Sequence, residues 1–200
     1  MTKRSGASAE ILLGLLAMEP MSGYDLAQSI RASVGHFWNE SYGQIYPNLR
    51  KLAQNGLVKS RTEHLAGKPD RHVHSITEKG RQRLREWLAV PPHPETPRNE
   101  LLLKVFLGEK TEPEVLVVHI ESMVRNERAT LKKLEATAQE IIAAHGEQPA
   151  APYWLMAVRF GQLELQAHLR WAEESLKSLR RIAAQRAAGP QPRRRKHADK

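Results

Sequence analysis

Apolar side chains recur at Ile45, Leu49 and Leu52, the i, i+4, i+7 spacing that lines one face of a helix. The other face of the same stretch carries Ser41, Tyr42, Gln44, Tyr46, Arg50 and Lys51. Ser41 can cap the first free amides, and Gly56 can close the helix, because glycine tolerates left-handed backbone. Such a helix packs by its aliphatic face and turns hydrogen-bonding and cationic groups outward, which is what the major groove of a duplex accepts. An ordinary amphipathic surface helix shows the same pattern, so the flanking segments carry the decision.

Upstream, Ile11 to Leu16 is a compact apolar run that predicts a helix ending near Pro20. Met21 to Ile30 predicts a second helix, with Ser22 as its cap and Leu26 and Ile30 pointing inward. Downstream, residues 56–63 alternate only in part, a turn falls at 66–70, and Arg71 to Thr77 alternates polar and apolar as a half-buried strand does. Thr77 then caps a further helix over 78–88. Three helices, a hairpin and a helix are the order of a winged helix-turn-helix domain, mainly α with a two-stranded β wing. In that arrangement the third helix enters the groove, and a hairpin tip carrying Lys68 and Arg71 reaches the phosphate backbone.

Three segments combine into a more specific pattern. They are Ser22-Gly23-Tyr24-Asp25-Leu26, then Gln44-Ile45-Tyr46-Pro47-Asn48-Leu49 with Gly56-Leu57-Val58, then Gly67-Lys68-Pro69 through Ile76-Thr77-Glu78-Lys79-Gly80. In motif and spacing they resemble the PadR transcriptional regulators, over roughly residues 8–88. The chain departs from that pattern at Ala53, where many members carry an acidic residue, and at His74, where many carry an aromatic one. The long helical second half resembles the subgroup with a large C-terminal helical domain. The resemblance implies a homodimeric repressor that binds a palindromic operator and is released by a small molecule or another cue.

On this reading Tyr42, Gln44 and Tyr46 approach base edges or phosphates, and Arg50 and Lys51 neutralise phosphates. Lys68 and Arg71 hold the wing on the backbone. Tyr24, opening the second helix, is either a further phosphate contact or a core residue. Phe37, Trp38, Trp87 and Phe106, aromatics near the domain junction, either line an effector site or pack as plain core. The alternative function is a protein–protein adaptor that uses the winged domain without DNA.

Four prolines between Val90 and Pro97 exclude helix there and mark a stiff linker. The predicted organisation is a DNA-binding domain over 1–90, a linker over 91–98, a helical dimerisation domain over 99–188 and a basic disordered tail over 189–200. A short helix is expected over 99–107. A long one opens at Glu112-Pro113-Glu114, where proline sits in a first turn that does not need its N–H. Leu116, Ile120, Met123, Leu131, Leu134, Ala138 and Ile141 follow in steps of mostly three and four, broken at Glu127. Residues 144–152 read as a loop. A last helix from about Tyr153 places Leu155, Val158, Gln162, Leu165, Leu169, Ala172, Leu176, Leu179 and Ala183 on one seam. Two long helices joined by a short loop form an antiparallel hairpin with apolar surface left for a partner, most simply a second copy. Mutual cover within a monomer is the alternative. A two-fold dimer would set two recognition helices about 34 Å apart, one turn of DNA.

The net charge of +9 is unevenly placed: 13 basic and 8 acidic side chains fall in 1–90, 13 of each in 91–188, and 5 and 1 in 189–200. A positive excess on the first domain favours phosphate through counterion release. The tail either adds non-specific phosphate contacts or only solubilises. No run of 18 apolar residues suggests a spanning helix, and the basic N-terminus with its short apolar run does not read as a signal peptide. The absence of cysteine fits a reducing compartment. The expected partner is therefore duplex DNA and not a membrane, in a bacterial cytoplasm on the nucleoid. No glycine-rich phosphate loop, nucleophile elbow or zinc-protease motif is present, so neither a cofactor nor an enzyme is expected. His72 and His74 share a strand face without a cysteine or convincing carboxylate nearby in sequence, and read as exposed imidazoles rather than metal ligands. Trp154, Met156 and Trp171, the best lining for an enzymatic pocket, read first as core.

Overall fold

The computed structural model describes residues 7–35, 37–38, 42–63, 71–92, 94 and 98–188. The predicted turn at 66–70 and the tail lie outside them. The chain falls into two compact units, Met1–Glu95 and Thr96–Lys200, each with its own apolar core.

The first unit runs α1 (Ala7–Met18), β1 (Met21–Ser22), α2 (Gly23–Ser33), α3 (Tyr42–Gln54), β2 (Val58–Glu63), β3 (Arg71–Ile76) and α4 (Glu78–Leu88). The strands form one antiparallel sheet in the order β1-β3-β2. Pairing runs from Val58↔Ile76 out to Glu63↔Arg71, and β1 adds Met21↔His74 and Ser22↔Val73. The sheet thus has three strands where the sequence reads two. Met21-Ser22 is too short to show a two-residue period, and its partner strand lies far along the chain.

Leu12, Leu13 and Leu16 of α1, Leu26 and Ile30 of α2, Ile45, Leu49 and Leu52 of α3, and Val58 and Ile76 of the sheet form the core. Burial of each such side chain is worth about 1.5–3 kcal/mol. The ends of the elements follow from specific residues. Ser22 and Asp25 make a capping box on α2: the Ser22 hydroxyl accepts from the Asp25 N–H at 3.3 Å, and the Asp25 carboxylate accepts from the Ser22 N–H at 2.9 Å. Gly56, at φ +69°, closes the turn after α3. The Thr77 hydroxyl accepts from the Gly80 N–H at 3.1 Å and donates to the Gly56 carbonyl at 2.8 Å, so one side chain starts α4 and ties it to the end of α3. Glu10, only 3% exposed, accepts from Nε and Nη2 of Arg83 at 3.2 and 3.0 Å and so pins α1 to α4.

The second unit holds α5 (Glu100–Phe106), a single 3-10 turn at Gly108–Lys110, α6 (Pro113–His145) and α7 (Ala151–Ala187). Asn99 caps α5, accepting from the Leu102 N–H at 3.0 Å, and Pro113 sits in the first turn of α6. The last two helices lie antiparallel, as the pairs Glu127–His168 and Leu134–Gln162 require. Leu116, Ile120, Ala172 and Leu179 are buried at the centre of one cluster, and every predicted α7 seam residue is buried or half-buried. The loop is shorter than 144–152, because α6 continues to His145 and α7 already begins at Ala151, with Pro152 in a turn that tolerates it. The break in the α6 pattern is real: Glu127 faces α7 and binds His168 Nδ1 at 2.9 Å. Its other carboxylate oxygen is buried with no hydrogen-bond partner among the described residues. Met156 is not core. With Tyr153, Phe160 and Leu163 it forms a stripe along α7 whose members are 49–70% exposed. Among the described residues no helix is long and apolar enough to cross a membrane.

Candidate nucleic-acid interface

The buried stripe of α3 fixes what its outer face presents. With Ile45, Asn48, Leu49 and Leu52 turned into the unit, Gln44, Tyr46, Arg50 and Lys51 are exposed. Pro47 lies inside this helix, where it cannot donate the usual bond to the residue 43 carbonyl; the apolar period alone passes over that irregularity. Helix α3 begins at Tyr42, whose side chain, like the whole of Ser41 and Lys68, lies outside the described residues.

The first turn of α2 adds to this surface. Tyr24 is 59% exposed and its hydroxyl accepts from Gln28 Nε2 at 3.0 Å, which removes the core-packing alternative. Beside it, a Cβ on Gly23 would lie 2.6 Å from Tyr46 Cε1. The Tyr46 ring of α3 therefore rests on a glycine, and a side chain at this position would push the ring aside. One residue further, the Asp25 carboxylate accepts from the Arg71 guanidinium at the start of β3. Burial alone would raise the Asp25 carboxyl, but hydrogen bonds from the Ser22 amide, the Ser22 hydroxyl and Arg71 outweigh it and hold it below its ordinary value. Arg71 is thus engaged within the protein at the far end of the β2–β3 pair, next to the turn of the wing.

On one face of the wing, Ser60 Oγ and His74 Nδ1 are hydrogen bonded at 2.7 Å, and Thr62 Oγ1 and His72 Nδ1 at 3.2 Å. Burial first, and then the charge of neighbouring His72, hold the His74 imidazole below its usual value. His72 is exposed and His74 half-buried, and among the described residues no third side chain joins them as a metal site. Lys59 and Arg61 are also exposed on β2, with Arg61 paired to Glu63 at 2.6 Å. Sequence reasoning missed these two cations, because β2 alternates too weakly to say which way they point. It also missed the Asp25–Arg71 pair, although Ser22-x-x-Asp25 is a readable capping signature.

Of the aromatic candidates, Phe37 and Trp87 are exposed in the first unit and Trp38 is half-buried there. Phe106, 83% exposed on α5, belongs to the second unit. Trp154 meets His145 edge-on at 5.9 Å between ring centres, and Trp171 packs against the second core.

Comparison with known proteins gives this geometry a family. Residues 12–86 match the model of the transcriptional regulator PadR-like family, and residues 97–180 match the virulence activator alpha C-terminal model. The negative transcriptional regulator PadR of Bacillus subtilis is 29% identical over 134 residues, 66% of this chain and 74% of that protein. The structure of the Vibrio cholerae virulence activator AphA is 30% identical, with a TM-score of 0.66, over 88% of this chain and 99% of that one. Bacillus subtilis PadR in complex with operator DNA shares the fold at a TM-score of 0.76 and 24% identity, over 86% of this chain and 99% of that one. The same Bacillus protein has been solved with p-coumaric acid, at a TM-score of 0.70 and 25% identity over 86% of this chain and 97% of that one. These relatives are regulators and not enzymes. The chain belongs to the PadR-like family of DNA-binding transcriptional regulators, in the group with a large helical C-terminal domain.

Proposed function

We propose that the chain is a homodimeric repressor that reads a palindromic operator through α3 and leaves it when a small molecule binds. The observation that carries this reading is α3 itself, whose aliphatic stripe is fully engaged while Gln44, Tyr46, Arg50 and Lys51 stand free of the core. Tyr24 and the wing, with Lys68 and Arg71, add contacts to the phosphate backbone on either side of it. The apolar stripe Tyr153, Met156, Phe160, Leu163 supports pairing with a second copy, since a soluble protein seldom leaves such a row bare. Operator DNA and p-coumaric acid bound to Bacillus subtilis PadR support the operator and the small-molecule cue. On this reading the protein works on the bacterial nucleoid.

Binding to a generic duplex should weaken with rising salt along a log–log slope set by the number of phosphate contacts. Arg50→Ala should lower that slope by about one, whereas Gln44→Ala should relax sequence preference. A wild-type protein without salt-dependent duplex affinity would sink the reading and leave the adaptor. Tryptophan fluorescence during titration with aromatic acids tests the cue: quenching should coincide with operator release.

A further inference from the structure

We propose that Asp25 is a positioning residue. With Gly23 it makes the first turn of α2 the point where wing and recognition helix are set against each other, and so governs how sharply one DNA sequence is told from another. This rests on the DNA-binding reading above.

Three donors converge on Asp25 Oδ2: the Ser22 N–H at 2.9 Å, the Ser22 hydroxyl at 2.8 Å and the Arg71 guanidinium. The first two fix the carboxylate to the helix cap, so it is Arg71 that must conform to Asp25. Arg71 opens β3 opposite Glu63, at the end of the strand pair away from Val58 and Ile76 in the core. The ion pair therefore acts where the wing has most leverage. Ser22 also pairs with Val73 through the sheet. Between these two ties to the wing, Gly23 receives the ring of Tyr46 from α3. Residues 22–25 thus touch both of the elements that would meet DNA.

The pair is partly exposed, with side chains 33% and 43% accessible, so it contributes little to stability. Its effect falls on orientation. Specific binding requires α3 to reach base edges and the wing to reach the backbone in one pose. A wing released from Asp25 still finds phosphates on any duplex, but no longer in register with α3. Loss of the carboxylate also removes a negative charge close to the DNA-facing surface, so affinity for an arbitrary sequence does not fall with it.

The test uses the full-length protein and two duplexes of equal length, one enriched from a random library by the wild type and one scrambled. Asp25→Asn should weaken binding to the enriched duplex about tenfold, the scale of one lost base contact, and leave the scrambled duplex bound as well or better. Gly23→Ala should show the same loss by displacing the Tyr46 ring, an exposed side chain that can shift without unfolding the unit, and an unchanged thermal melt checks that the fold is kept. Equal loss on both duplexes, or no change on either, overturns the proposal. If thermal melts show Asp25→Asn unfolded, Arg71→Gln removes the pair and spares the cap, and retained discrimination there overturns it. Failure of the wild type to bind DNA appears before any substitution and belongs to the reading above.

Discussion

Gly80 and Gly14 both sit inside helices, yet alanine at the two should act in opposite directions. A Cβ on Gly80 would stand 2.2 Å from the Leu57 carbonyl oxygen and 2.8 Å from Ile76 Cγ1. Backbone cannot give way like a flexible side chain, so Gly80→Ala should cost about 1–3 kcal/mol despite better helix propensity. Around Gly14 no atom of the described residues lies within 4 Å of the same position, and Gly14→Ala should stabilise by about 0.5–1 kcal/mol. Urea midpoints with unchanged slopes would confirm both signs. The sequence shows two helical glycines and cannot rank them, because the difference lies in what the turn after α3 brings near. Glu10 teaches the same lesson: an acid among leucines reads as surface until Arg83, far along the chain, is found holding it.

The elements were legible where a local period or cap wrote them. Leu49 is buried as its i, i+4, i+7 spacing requires, and Leu49→Ala should cost about 2–5 kcal/mol in thermal or urea unfolding. Ser22 and Thr77 cap the helices they were expected to cap. The wing was harder, because its third strand is two residues long and its side-chain pairs join distant segments. Its pH response follows from those pairs. Burial in the folded state holds the His74 imidazole below its ordinary value, so folding favours the neutral ring. That stability is fully present above about pH 6.5 and is lost as pH falls through the range beneath it. Asp25 is held below 3.8, so its contribution persists until stronger acid. Relative to the intrinsic exchange rate at each pH, amides of β2 and β3 should therefore lose protection between about pH 7 and 5, and His74→Gln should reduce that change.

At the scale of the whole molecule, charge and apolar surface divide the labour. The positive excess over 1–90 belongs to the unit that carries α3, and the balanced stretch over 91–188 belongs to the helical unit. The α7 seam was readable from its threes and fours, but the second row was not. Met156 sits beside Leu155 in sequence, and only the packing of α6 decides which of the two is covered. If that bare row joins two copies, Met156→Glu with Phe160→Glu should shift the protein to monomer in sedimentation. Affinity for a palindrome should then drop towards that for a half-site.

Glu127 gives the long hairpin something that leucines alone could not. A purely hydrocarbon contact would let one rod slide a turn along the other with small penalty, since like would replace like. Displaced by that turn, Glu127 would leave His168 behind and hold a half-buried carboxylate without its partner. The two residues act as key and notch, trading some cohesion for a single low-energy alignment. Glu127→Leu should accordingly yield a rod that melts higher but settles in more than one position.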